Sequence, residues 1–289
     1  MSPTPLNISA ETLALARRLC AGLETPDIAG LYLPRLSADA GFHDEFGFVF
    51  LDDGTAAPFY VSLPGTLAEL HRRFPDPASA RLSLASCLGG LGETAFPGRA
   101  LAIGAWNALG QHLFRRAGFK FPPRGAAGGY EPRPGERVGM VGYFRPVIDR
   151  LVERGVEVLV IEQQPERVPR RARVTLSQDP GTLSECRLVY CTASTLINDS
   201  LEEILACCAG AEAVDLIGPS GSGLPDVLFA HGIHAIGGVT FASAGELRAA
   251  LERRESWGAA GTKYELTAAS YPGVDSLLAA ARGGGRDSR

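Results

Sequence analysis

Four short loops in the second half of this 289-residue chain hold the residue types that could handle a small ligand. Each follows an apolar run and precedes a helix-like stretch. The first is Gly139-Met140-Val141-Gly142-Tyr143-Phe144-Arg145-Pro146. Its glycines suit a tight strand-to-helix turn, and Tyr143 and Phe144 could form an aromatic wall beside a ligand. It lacks the GxGxxG spacing of a dinucleotide fingerprint. The second loop begins at Ile161-Glu162-Gln163. A carboxylate there can accept hydrogen bonds from the paired hydroxyls of a ribose, and a solvated strand end explains it equally well. The third, Cys191-Thr192-Ala193-Ser194-Thr195, runs into Leu196-Ile197-Asn198-Asp199. Ser194 or Thr195 can cap a helix, and a helix start also attracts an anion or carbonyl. Capping leaves Asn198 unexplained. The fourth, Gly218-Pro219-Ser220-Gly221-Ser222-Gly223, is small enough to offer its backbone N–H groups to an anion. No Gly-Lys-Ser/Thr ending follows, and Pro219 removes a donor, so it is not a triphosphate loop.

Other chemically capable residues are scattered. His43, Asp44 and Glu45 adjoin in a loop. His231 and His234 flank Gly232, where a helix should end, so they need not share a face. Cys207 and Cys208 lie on a mostly apolar helix. None of these has zinc-ligand spacing, and no GxSxG elbow marks a hydrolase triad. Residues 166–173 form a basic cluster, read either as a solvated loop or as a phosphate contact.

The elements that must position these loops differ between the two halves. Residues 10–22 carry apolar positions at a helical period. Strand-like runs follow at 28–33, 46–51 and 58–63, with Asp52-Asp53-Gly54-Thr55 as a hairpin turn between the last two. Helices are expected at 66–74 and 81–88, and a longer one at 99–117. The long helix carries Leu101, Ala105, Leu109 and Leu113 on one face and Asn107, Gln111 and Arg115 on another. Residues 1–118 therefore read as an α+β unit. Residues 119–136 are rich in proline and glycine and read as a linker.

From residue 137 the apolar runs 138–143, 156–161, 188–192, 213–218 and 235–239 do not alternate, as expected of strands buried on both faces. Helical stretches are expected at 145–154, 195–208, 224–231 and 243–253. This is the pattern of a doubly wound, Rossmann-like parallel sheet over 137–270, with 271–289 left as a tail. Ligands of such sheets sit beyond the carboxyl ends of the strands, where the four loops fall.

Composition bounds the rest. The net charge of −4 argues against a nucleic-acid-binding protein, and no apolar run is long enough to span a membrane. No secretory signal is visible, and six cysteines without framework spacing point to a reducing cytoplasm and free thiols.

The order of motifs resembles the heavy-metal chelation family of bacteria and archaea. The resemblance runs from about Ala10 to Lys263. It rests on Leu101-Ala102-Ile103-Gly104-Ala105-Trp106-Asn107-Ala108-Leu109, on residues 138–144, on Ser194-Thr195-Leu196-Ile197-Asn198 within 192–205, and on Gly218-Pro219-Ser220 through to His234-Ala235-Ile236-Gly237-Gly238-Val239. It implies an enolase-N-terminal-like domain joined to the Rossmann-like one, with the active site in the cleft between them. Asn107 would then point across that cleft from its helix.

The expected function is binding of a small polar or anionic metabolite or metal complex in the cleft, with or without catalysis. Its ligand-binding residues would be Asn107, Tyr143, Glu162, Thr195, Asn198, Gly218, Ser220 and Gly221. Two alternatives stand beside it: a non-catalytic metal-chelate binder, and an enzyme using S-adenosylmethionine or a dinucleotide. A metal ion is the cofactor the resemblance suggests. A homo-oligomer is compatible with the sequence.

Overall fold

The computed structural model describes residues 7–36, 45–122 and 130–283. Helix α1 (Ile8–Gly22) opens with Asn7 accepting the Ala10 N–H and buries Ile8, Thr12, Ala16 and Leu19. Strands β1 (Ile28–Tyr32), β2 (Phe46–Leu51) and β3 (Ala56–Tyr60) form an antiparallel sheet in chain order. The expected turn joins β2 to β3. Asp53 accepts the Thr55 N–H at 2.9 Å, and Gly54 takes a φ of 81°, which glycine adopts without a steric penalty. Helices α2 (Thr66–Arg73), α3 (Leu84–Leu88) and α4 (Phe96–Arg116) follow.

Helix α4 departs most from its sequence pattern. Every residue from Arg99 to Phe114 is buried, including Asn107, Gln111 and His112. Of the polar face, Arg115 meets water, whereas Asn107 and Gln111 meet the second half of the chain.

That half builds a seven-stranded sheet. Its strands are β4 (Arg137–Val141), β5 (Glu157–Ile161), β6 (Val174–Ser177), β7 (Leu188–Thr192), β8 (Ala213–Ile217), β9 (Ala235–Phe241) and β10 (Gly261–Thr267). They lie in the order β10-β9-β8-β7-β4-β5-β6, all parallel except β10, which runs antiparallel to β9. The sheet therefore grows from β4 in both directions, and the order reverses between β4 and β7. Helices α5 (Arg145–Glu153), α6 (Leu201–Cys207), α7 (Asp226–Ala230), α8 (Ala244–Glu252) and α9 (Val274–Gly283) complete it.

Several expectations need correction. The helix expected at 195–208 is split: a tight turn at Ala193–Leu196 precedes α6, with Asp199 between them at a φ of 61°. Strands β6 and β10 were not foreseen. The supposed tail 271–289 contains α9, which buries Val274, Leu277, Leu278 and Ala281. The start of the supposed linker is docked as well: Phe121 stacks on Tyr264 of β10 with ring centroids 4.0 Å apart. One apolar cluster runs through both halves, including Leu109 and Leu113 of α4 with Leu216, Leu224 and Leu266. Among the described residues, no helix is long and apolar enough to cross a membrane.

Candidate functional site

Helix α4 and the loop after β8 are joined by a set of buried hydrogen bonds. Asn107 Nδ2 donates to the carbonyls of Pro58 at 2.8 Å and Ser220 at 3.0 Å. Gln111 Nε2 donates to the Ser222 carbonyl at 2.8 Å and to Tyr264 Oη at 3.1 Å. Ser220 Oγ accepts the Tyr60 N–H at 3.0 Å, linking the loop to β3. Ser222 Oγ donates to the Pro219 carbonyl and accepts the Val239 N–H. Buried polar atoms left unpaired cost roughly 1–3 kcal/mol each, so this network fixes the loop against both sheets.

The same packing accounts for much of the loop's small size. A Cβ at Gly223 would lie 2.5 Å from the Trp106 ring, and one at Gly110 would lie 3.0 Å from the Leu224 nitrogen. Gly218 has a φ of 125°, a conformation L side chains rarely adopt. Gly221 has no such requirement. Its Cβ position is in ordinary contact with Ile236 and Ala193. Close helix-to-loop packing explains these small residues with no ligand present.

Above the loop lies a cavity of about 900 Å³. Its floor is the carboxyl ends of β4, β5, β7 and β8, and its opposite wall is Glu45, Phe46, Tyr60 and Ser62 beside the first sheet. Six of the eight expected site residues line it: Tyr143, Glu162, Thr195, Asn198, Gly218 and Ser220. Asn107 and Gly221 do not. They are buried beneath it.

Some of the six are already engaged. Thr195 Oγ1 donates to the Thr192 carbonyl at 2.6 Å, closing the turn after β7. Asn198 Oδ1 accepts from Ser200 Oγ at 2.7 Å. One oxygen of Glu162 accepts the Gln164 N–H at 3.1 Å. Arg99, itself buried, holds this part of the chain from behind. It donates to the Leu196 carbonyl at 2.8 Å and pairs with Asp199 at 2.5 Å.

The structure adds residues that spacing could not single out. Arg167 Nη2 reaches Glu45 Oε1 at 3.1 Å, and Tyr60 Oη lies 3.5 Å from the same oxygen. Burial, then the Glu45 charge, pushes the Tyr60 phenol up. Arg150, Lys263 and Trp257 also line the cavity. Arg167 stood out only as one member of a basic cluster, and Glu45 was read with His43 and Asp44, which lie outside the described residues.

The donor set does not fit a resident metal. Among the described residues, no group of three or more His, Cys, Asp or Glu side chains could hold a metal ion, and no histidine or cysteine lines the cavity. His231 pairs with Glu11 at 3.0 Å and His234 with Asp215 at 3.2 Å, in separate places. All six cysteines are free thiols. Burial pushes Cys191 and Cys208 up to about 12, so neither is a ready thiolate.

The fold is a mixed α/β one, a small antiparallel sheet joined to a seven-stranded, mostly parallel sheet. Residues 130–268 match the family model described as "Putative heavy-metal chelation", DUF364. A solved protein of unknown function from the DUF364 family of Pyrococcus horikoshii is 18% identical, with a TM-score of 0.63 over 90% of this chain and 100% of that one. Another from the same family, of unknown function and from Desulfitobacterium hafniense, is 16% identical, with a TM-score of 0.62 over 89% and 98%. At these identities the likeness shows the shared fold. No curated protein matches the sequence.

Proposed function

We propose that the cavity is the working site and binds a small polar or anionic metabolite, free or as a metal complex, in contact with both sheets. The observation that carries this reading is position. The cavity sits outside the carboxyl ends of β4 and β7, where the strand order reverses. Doubly wound, Rossmann-like sheets hold their ligands at that place. Its volume falls within the usual range for small-molecule sites, roughly 300–1,000 Å³. Arg150, Arg167 and Lys263 provide positive charge among Glu45, Glu162, Glu203 and Glu265, so the lining is mixed in sign, and Ser194 and Ser220 provide small polar walls.

The family description speaks of heavy metals. Soft metals prefer thiolate and imidazole ligands, which the described lining lacks. A metal would therefore arrive with its own organic ligands, as cargo.

The test is a thermal-shift screen of wild type and Ser194→Trp against metabolites and preformed metal chelates. Ser194 lines the cavity and is half-buried, so an indole there occupies ligand space. At a hundredfold excess over Kd, a ligand stabilises the fold by about 2.7 kcal/mol, a rise of roughly 5 °C or more in Tm. The account expects such a rise in wild type and its loss in the variant. Equal protection of both proteins would place binding elsewhere.

A further inference from the structure

Glu162 occupies a position that the cavity alone does not explain. Val141 of β4 and Ile161 of β5 are register partners, so Gly142 and Glu162 leave the sheet at the same level on adjacent strands. Gly142 N–H donates to the Ile161 carbonyl at 2.9 Å, which keeps the two strand ends together. Gly142 has a φ of 85°, which requires glycine, and it lines the cavity with the Thr192 side chain packed against its Cα. The Gln164 N–H bond steers the Glu162 carboxylate and engages one oxygen only. A carboxylate one strand from the reversal point, beside a glycine turn, suits an acceptor for two adjacent hydroxyls. Tyr143 and Phe144 follow directly and line the cavity, so a planar base has aromatic side chains to pack on.

The start of α5 limits what else the ligand carries. A diphosphate needs the free N–H groups of a helix start. Pro146 has none, and the Val147 N–H is turned to the Phe144 carbonyl at 3.0 Å. Two of the four donors that a helix start leaves free are therefore lost.

Resting on the cavity reading above, we propose that the ligand class is a nucleoside without a 5′-diphosphate. Its ribose diol donates to Glu162, and its base lies against Tyr143 and Phe144.

The probes are adenosine, 2′,3′-dideoxyadenosine and NAD, titrated by calorimetry into wild type and Glu162→Gln. Glutamine keeps an oxygen for the Gln164 N–H, so the fold should melt unchanged. Wild type should bind adenosine at least about tenfold more tightly than the dideoxy compound, because two bonds to a charged acceptor are lost. Glu162→Gln should remove most of that preference. NAD should bind no more tightly than adenosine. Adenosine binding that ignores both the diol and Glu162 overturns the proposal, and so does no binding of adenosine at millimolar concentration. If another metabolite is still excluded by Ser194→Trp, only the nucleoside assignment falls. If Ser194→Trp changes no binding at all, the cavity reading falls with it.

Discussion

Asp53 shows how single residues join the parts of this chain. It sits in the β2–β3 turn and holds His112 and Arg115 of α4. His112 is 3% exposed, bonds Asp53 through Nδ1 at 2.7 Å, and leaves Nε2 without a partner. Burial would raise the Asp53 carboxyl, but hydrogen bonds from His112 and Thr55 outweigh it and hold the group well below the usual carboxylate range. A depressed carboxylate adds stability above its unfolded pKa of roughly 3.9 and loses it as pH falls toward the folded value. Asp53→Asn should therefore destabilise the protein by about 2 kcal/mol at pH 7, the worth of a hydrogen bond to a charged group. Urea unfolding of both proteins should show that difference intact at pH 6 and shrinking below about pH 4. A difference independent of pH would contradict the role assigned to the charge. The sequence marked Asp53 only as a turn residue, because its partners lie some sixty positions away. Glu162, by contrast, was legible, since its place at a strand end depends only on local pattern. Ser220 was legible as a small loop residue, but its contact with the first sheet was not. Its hydroxyl is turned to the Tyr60 N–H, a partner that no local pattern reveals.

Elements were legible where their environment is uniform. The five buried parallel strands stood out as mostly apolar runs, although β8 carries Asp215 at its centre. Strand β6 is a short edge strand with exposed Thr175 and Leu176, and β10 mixes exposed Thr262 and Lys263 with buried Tyr264, so neither showed a clean period. Helix α4 was found with Asn107, Gln111 and Arg115 on a face of their own, but periodicity cannot tell water from a second sheet, and Asn107 and Gln111 are buried. This has a consequence for Gly110. Replacing a mid-helix glycine by alanine normally stabilises a helix by about 1 kcal/mol. Here the new methyl would press on the backbone of Gly223 and Leu224, which cannot swing away as a side-chain tip could. Gly110→Ala should instead lower stability by about 1–3 kcal/mol, the usual cost of overpacking. A Tm above that of wild type would show that α4 and the loop are not tightly apposed.

At the scale of the whole molecule, the two sheets share one apolar core and one set of buried hydrogen bonds, and the cavity lies over that seam. A ligand there touches two parts of the chain remote in sequence. The fold class could be read from the sequence, whereas this seam could not, because it depends on which faces of α4 and the β8 loop meet. Hydrogen exchange with the best thermal-shift compound bound tests the claim most directly. Amides at 142–144, 192–196 and 218–220 should slow together with those at 45–46 and 60–63, as both walls close on one ligand. Slowing confined to one sheet, or found only away from these segments, would contradict a shared binding site.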